Sequence, residues 1–267
     1  MRKSLIITLL VTLLGALGAF IIPPSSKTPS SMLLASHIQW AIAIAQGIIF
    51  ICSAIFTLQA TFRVKALGGI IGNSLKVFSV GLLFFGLAFP QIPIVAIFNL
   101  WESPYFTLGI YWILYLIALV LIALGLGIAA KNYAKKAFLY SFCLVLIFLV
   151  IRIALSSIPF SNVLYSTPKD FENGLTTATV LNIISGILVI LSMLLKNAFG
   201  NSRIGSIFSL YIAAFVLIFI GALLGYPIIL STGIHAWWYT YGLYYSLFLV
   251  AGIFFLQFSL KLKYFNL

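Results

Sequence analysis

Carboxylates are nearly missing from this chain: Glu102, Asp170 and Glu172 are its three acids among 267 residues. All three fall between long apolar runs. A proton-coupled carrier keeps a carboxylate or histidine near the bilayer midplane, so their placement argues against that mechanism. Histidine is limited to His37 and His235, and cysteine to Cys52 and Cys143. Neither histidine belongs to a CxxCH or HExxH motif, which removes covalent haem attachment and a zinc-protease site. Both cysteines lie inside apolar runs, where thiols act as small packing residues and not as disulfide partners. No GxxxxGK[ST] loop is present, and Gly68-Gly69-Ile70-Ile71-Gly72 lacks the strand, helix and lysine of a nucleotide cradle, so it reads as a turn. With one aspartate and no GxSxG elbow, Ser/His/Asp catalysis is poorly served. Glu102, His235 and Arg152 are what remains for a lipid-modifying activity. The expectation is a protein that is not an enzyme, with no catalytic residues, no metal and no bound nucleotide.

What the chain has in quantity is apolar surface. Hydrophobic residues make up 63% and charged residues 7%, a balance that the exterior of a water-soluble domain does not accommodate. Eight apolar spans are readable, at residues 5–22, 37–62, 70–98, 106–129, 137–158, 174–195, 204–230 and 240–260. Each reaches or approaches the roughly 20 residues that an α-helix needs to cross a bilayer. A membrane barrel would show segments of alternating polarity about ten residues long, and these runs are apolar on every face. The predicted fold class is therefore all-α, a polytopic integral membrane helix bundle. The second and third spans exceed a bilayer's need, so tilting or kinking is expected, with Pro90 and Pro93 bending the third. Arg2-Lys3, an apolar run and Pro23-Pro24-Ser25-Ser26 also fit a signal peptide. The length of the run from Leu5 to Ile22, and a counterpart later in the chain, favour a retained span.

Charge orders these spans. Threading them from a cytoplasmic N-terminus puts Arg2, Lys3, Arg63, Lys65, Lys76, Lys131, Lys135, Lys136, Lys196, Arg203, Lys261 and Lys263 on one side, twelve of the fifteen cations. The three acids fall on the other, with Lys27 and Lys169. Lysine and arginine near span ends are held on the cytoplasmic face, so the expected location is the cell membrane with both termini cytoplasmic. The net charge of +12 is spread singly and in pairs at span ends, facing anionic lipid headgroups and not nucleic acid.

The chain also repeats itself. Phe106-Thr107-Leu108-Gly109-Ile110-Tyr111-Trp112 aligns with Tyr239-Thr240-Tyr241-Gly242-Leu243-Tyr244-Tyr245 at an offset of 242 minus 109, or 133 residues. At that offset Gly72 falls on Gly205, and Pro93 lies one place from Pro227. The chain divides into two tandem four-helix repeats, 1–133 and 134–267, forming one membrane domain. Four crossings is an even number, so the halves share one orientation about an axis along the membrane normal.

Candidate site residues follow from this threading. Trp101, Tyr105, Tyr111 and Trp112 in the first half, and Trp237, Trp238, Tyr241 and Tyr244 in the second, cluster where the chain re-enters from the outer side. They fit an interfacial aromatic belt, or two walls of an outward-facing apolar pocket. Arg152 is the clear cation within a span, snorkelling outward, paired with Glu102, Asp170 or Glu172, or anchoring an anionic ligand. His37 and His235 both fall on the outer side, where two imidazoles suffice as axial ligands of a b-type haem. Gly221 with Gly225, Ala41 with Ala45, and Gly15 with Ala19 form small-xxx-small steps, and Gln46, Asn182, Ser192 and Gln257 are placed to bond between helices. The leading expectation is a non-catalytic subunit or scaffold of a membrane complex, with lipids and other membrane subunits as partners. The alternatives are a carrier or permease for an apolar or weakly polar solute, and a haem-binding electron-transfer protein.

Overall fold

The computed structural model describes residues 37–64, 69–91, 94, 98, 110–157, 168–200, 202–226 and 244–264. These residues form seven α-helices and no strand. They are α1 (His37–Val64), α2 (Gly69–Ala88), α3 (Ile110–Ala129), α4 (Ala134–Ser156), α5 (Pro168–Phe199), α6 (Arg203–Leu224) and α7 (Tyr244–Lys263), with a single 3-10 turn, Lys131–Tyr133, joining α3 to α4. Five stretches are long and apolar enough to cross a membrane: Ile42–Phe62, Gly69–Ala88, Lys131–Ser156, Phe171–Phe199 and Gly205–Leu224. The described residues are thus all-helical, with the composition of a membrane-embedded protein. The first predicted span, residues 5–22, lies outside the described residues.

Local chemistry sets several helix ends. α5 opens on Pro168, whose missing N–H is no loss in a first turn. It closes at Phe199, where Gly200 takes φ +55°, the left-handed conformation that ends helices. Ser202 then caps α6, its side chain accepting from the Gly205 N–H at 3.1 Å. The predicted third span, 70–98, is interrupted at its first proline: α2 ends at Ala88, Phe89 and Pro90 form a turn, and Gln91 and Ile94 are helical again. Pro90 has no N–H to donate to Gly86, and the ladder resumes as single bonds from Ile94 to Pro90 and Phe98 to Ile94.

Helix directions are read from the contacts. Ser79 of α2 donates to the Ala54 carbonyl of α1 at 2.7 Å, and a Cβ on Gly86 of α2 would lie 2.9 Å from the Gly47 oxygen, so residue numbers fall on one helix as they rise on the other. α1 and α2 are therefore antiparallel. Ser74 donates to the Gly125 carbonyl at 2.6 Å, and a Cβ on Gly81 would come within 2.9 Å of the Ile122 nitrogen, which makes α3 antiparallel to α2. Asn182 to the Ala222 carbonyl at 2.8 Å, with Thr179 against Tyr226 at 3.2 Å, does the same for α5 and α6. Tyr211 packs on Phe258 and Phe215 on Phe255, setting α7 antiparallel to α6. α7 instead runs parallel to α1, with Thr57 bonded to Ser259 at 2.8 Å and Gly252 against Ile49. α3 also touches α5, running in the same sense. Six helices thus form a closed ring in the order α1, α2, α3, α5, α6, α7, and α4 lies outside it against α5.

Aromatic rings fill the centre of this ring. Phe50, Phe78, Phe85, Tyr115, Tyr211, Phe248 and Phe255 are all within 1% of full burial and pack with centroids 4.7 to 6.5 Å apart. Such pairs add about 0.5–1.5 kcal/mol each beyond their buried area. Small residues let the surrounding backbones close in. A Cβ on Gly47 would meet Pro90 Cγ at 2.6 Å and the Gly86 oxygen at 2.9 Å, and one on Gly125 would meet the Phe78 nitrogen and the Ser74 oxygen at 2.9 Å.

These glycines replace the steps expected from sequence. Gly225 caps the end of α6 and is not part of a helical face, while a Cβ on Gly221 would meet nothing nearer than 3.6 Å. Among the described residues, Gly221 therefore makes no crossing closer than ordinary van der Waals contact. Ala45 is half-buried, the Ala41 side chain is not described, and Gly15 with Ala19 lies outside the described residues. The packing role expected of the cysteines fails for Cys143, which is exposed on α4, and Cys52 is half-buried; both are free thiols.

Candidate functional site

Charge is segregated along the bundle. α1, α3, α5 and α7 run one way and α2, α4 and α6 the other, so Lys131, Lys135, Lys136, Lys196, Lys261 and Lys263 sit together at one end. Glu172, near the start of α5, is at the opposite end. Arg152 is near the end of α4 and therefore reaches the same level as Glu172.

Those two groups form the ion pair of the described residues. Arg152 Nη2 bonds Glu172 Oε2, and Nη1 bonds Ser156 Oγ. Thr176 Oγ1 accepts from Nη2 at 3.3 Å while donating to the Glu172 carbonyl at 2.9 Å. The Arg152 side chain is 20% exposed and that of Glu172 45%. Glu172 is in the second turn of α5, one turn beyond the unpaired N–H groups of the helix start. Behind the pair, Phe148, Phe171, Leu175, Ala178 and Tyr226 form a small buried cluster, in which Tyr226 shares a hydrogen bond with Thr179. Arg152 thus takes Glu172 from the three acids the sequence offered, and the pair fastens α4 to α5. Spacing along the chain does not choose among them, since the choice depends on α4 lying against α5.

Other candidate residues are placed less fully. His37 begins α1, Tyr111 and Trp112 lie in the first turn of α3, and Tyr244 begins α7; none of these side chains is described. Trp101, Glu102, Tyr105, His235, Trp237, Trp238 and Tyr241 lie outside the described residues. No group of three or more His, Cys, Asp or Glu placed to hold a metal ion occurs among the described residues. Of the polar residues expected to bond between helices, Asn182 does so, reaching Ala222 on α6. Gln46 is fully buried, Gln257 is half-buried, and Ser192 is fully buried with no hydrogen-bond partner for its hydroxyl among the described residues.

Sequence reasoning did not anticipate two surfaces. The first is α4, with Phe148 as the single buried residue of its 23. Phe138, Phe142, Val150 and Ile153 are between 50% and 72% exposed, and Phe138 stacks on Phe142 at 6.1 Å. The second is a groove of about 660 Å³ where α3 meets α5, roofed at one end by the start of α2 and reaching Lys131. Periodicity carries little information about either, because a helix that is apolar on all sides does not say which side is covered.

Compared with known proteins, the chain matches no family model, no curated protein and no solved structure.

Proposed function

We propose that the protein is a non-catalytic integral membrane subunit or scaffold, built from eight spans in two tandem four-helix repeats of one orientation, with both termini cytoplasmic. Helix positions support the repeat: α5, α6 and α7 begin 131, 134 and 134 residues after α1, α2 and α3, from starts at 168, 203 and 244 against 37, 69 and 110. Burial supports it as well. At an offset of 133, Gly72, Leu75, Phe78, Leu82 and Phe85 of α2 fall on Gly205, Phe208, Tyr211, Phe215 and Ile218 of α6, and all ten are buried. A residue touches its own counterpart only where a two-fold axis passes between them. Phe78 stacks on Tyr211 at 4.7 Å and Tyr115 packs on Phe248 at 5.8 Å, each pair 133 residues apart. Phe78 lies level with Gly125, ten residues along α3 from Tyr115, so the two contacts are about 15 Å apart along the helices. An axis along the bundle fits both.

The observation that carries the subunit reading is α4. Lipid-facing surface alone requires no aromatic stacking, yet α4 presents Phe138 on Phe142 outside a ring that is complete without it. A span held to α5 by one ion pair and to α6 by Phe148 packing on Phe219 at 6.0 Å still leaves most of its circumference uncovered among the described residues, and so open to another chain. The filled axis supports the same reading against a carrier, since a carrier places its site at the interface between repeats. Purification in mild detergent tests this. A stoichiometric membrane partner, lost when Phe138 and Phe142 are both changed to Ala, is the expected result. A lone monomer or homodimer that these substitutions leave unchanged contradicts it.

A further inference from the structure

The ring has two seams where the proposed halves meet, and they differ. At the seam between α7 and α1, Thr57 bonds Ser259, Gly252 packs against Ile49 and Phe50, and the Lys263 ammonium sits 4.6 Å from the centre of the Phe56 ring. The seam between α3 and α5 is instead opened by the groove of about 660 Å³, a volume within the range of small-molecule sites. Its walls are aliphatic, with Val120, Leu124 and Ile128 on α3 facing Ile184, Ile187 and Leu191 on α5. Polar groups gather at one end alone, where Asn73 and Lys131 line it. Lys76 follows Asn73 by three positions, is exposed like it, and so shares its helical face.

We propose that this groove holds one anionic phospholipid, its acyl chains along α3 and α5 and its phosphate at Lys131 and Asn73. The inference rests on the membrane reading above but not on the subunit reading. Length selects the occupant. From Lys131 to Val120 is eleven residues, about 17 Å of helix, which is close to half of a hydrocarbon core about 30 Å thick. A helix from a partner protein crosses both leaflets, whereas the groove serves one. Charge selects the headgroup. This end carries Lys131, Lys135, Lys136 and Lys196, while Glu172 and the start of α5 are at the far end of the bundle. A phosphate that carries its own compensating cation gains less here, with each engaged lysine expected to favour an anionic lipid about fivefold.

The test is lipid retention, measured by quantifying phospholipid bound to the full chain after exchange into detergent containing equal phosphatidylglycerol and phosphatidylcholine. Gly127 lines the groove, and a Cβ there would meet nothing within 4 Å, so Gly127→Leu fills the groove without disturbing a packed contact. The expected result is about one phosphatidylglycerol kept per chain, at least fivefold over phosphatidylcholine. Gly127→Leu should abolish retention without lowering the melting temperature, and Lys131→Gln should bring the preference down about fivefold. Equal retention of the two lipids by the unaltered chain overturns the proposal, as does retention untouched by Gly127→Leu. Loss of a co-purifying protein in Gly127→Leu, with bound lipid unchanged, overturns it in favour of a protein occupant and leaves the reading of α4 standing.

Discussion

Backbone approach at four glycines decides how tightly the ring closes. Gly47 and Gly86 face each other across α1 and α2, and Gly81 and Gly125 both lie on the contact of α2 with α3. Gly47→Ala places a methyl 2.9 Å from the Gly86 oxygen, which backbone cannot cede without moving a helix. An overpacking cost of about 1–3 kcal/mol is expected, read as a fall in melting temperature in detergent. Gly127→Ala provides the contrast, because its open surroundings leave only the gain in helix propensity, up to about 1 kcal/mol. Equal melting of the two variants would show that the crossing is looser than described. The Arg152–Glu172 pair is partly exposed, and its coupling energy is accordingly about 1 kcal/mol in a double-mutant cycle of Arg152→Gln and Glu172→Gln. No coupling would mean that α4 is not fastened there. Glycines were visible in the sequence, but their partners were not, since the packing face depends on which helix is adjacent. Small-xxx-small spacing therefore picked Gly221 and Gly225, where Gly225 is the C-cap of α6 and a Cβ on Gly221 would meet nothing nearer than 3.6 Å among the described residues.

Helices are the scale at which the sequence was most legible. Apolar runs predicted a helix at each of the seven described positions, and boundaries moved by at most about six residues except where Pro90 ended α2 early. Relative placement was not legible. Nothing in the sequence separates α4 from the other spans, yet it buries one residue where α2 buries ten. The consequence is measurable. Phe148→Ala empties the cluster around Phe171 and Tyr226 and should cost about 3 kcal/mol of stability. Phe142→Ala, on the exposed face, should change it by less than about 0.5 kcal/mol. If Phe142→Ala is as damaging as Phe148→Ala in the isolated chain, the outward face of α4 is covered by the chain itself and the subunit reading fails.

At the scale of the whole molecule, charge and symmetry make one argument. Positive-inside threading predicted that Lys131, Lys135, Lys136, Lys196, Lys261 and Lys263 share one end, and the helix directions bring them there. In the proposed repeat the same threading gives the halves a common orientation, and the contact of Phe78 with Tyr211 is what an axis along the bundle would produce. The proposed symmetry was partly suggested by an aromatic motif, whereas support for an axis came from the ring contacts. The candidate site was legible only in Arg152, because a cation in an apolar run must find a partner or the surface. The groove was hidden, since its lining is the same aliphatic set found throughout the chain.

Threading is tested most directly by labelling with a membrane-impermeant maleimide in a chain freed of its own thiols by Cys52→Ser and Cys143→Ser. Asn132→Cys reports the exposed turn at the basic end, and Ser157→Cys the exposed end of α4 opposite to it. The account predicts that Ser157→Cys reacts in intact cells, while Asn132→Cys reacts only in inverted vesicles. Labelling of Asn132→Cys from outside intact cells contradicts it.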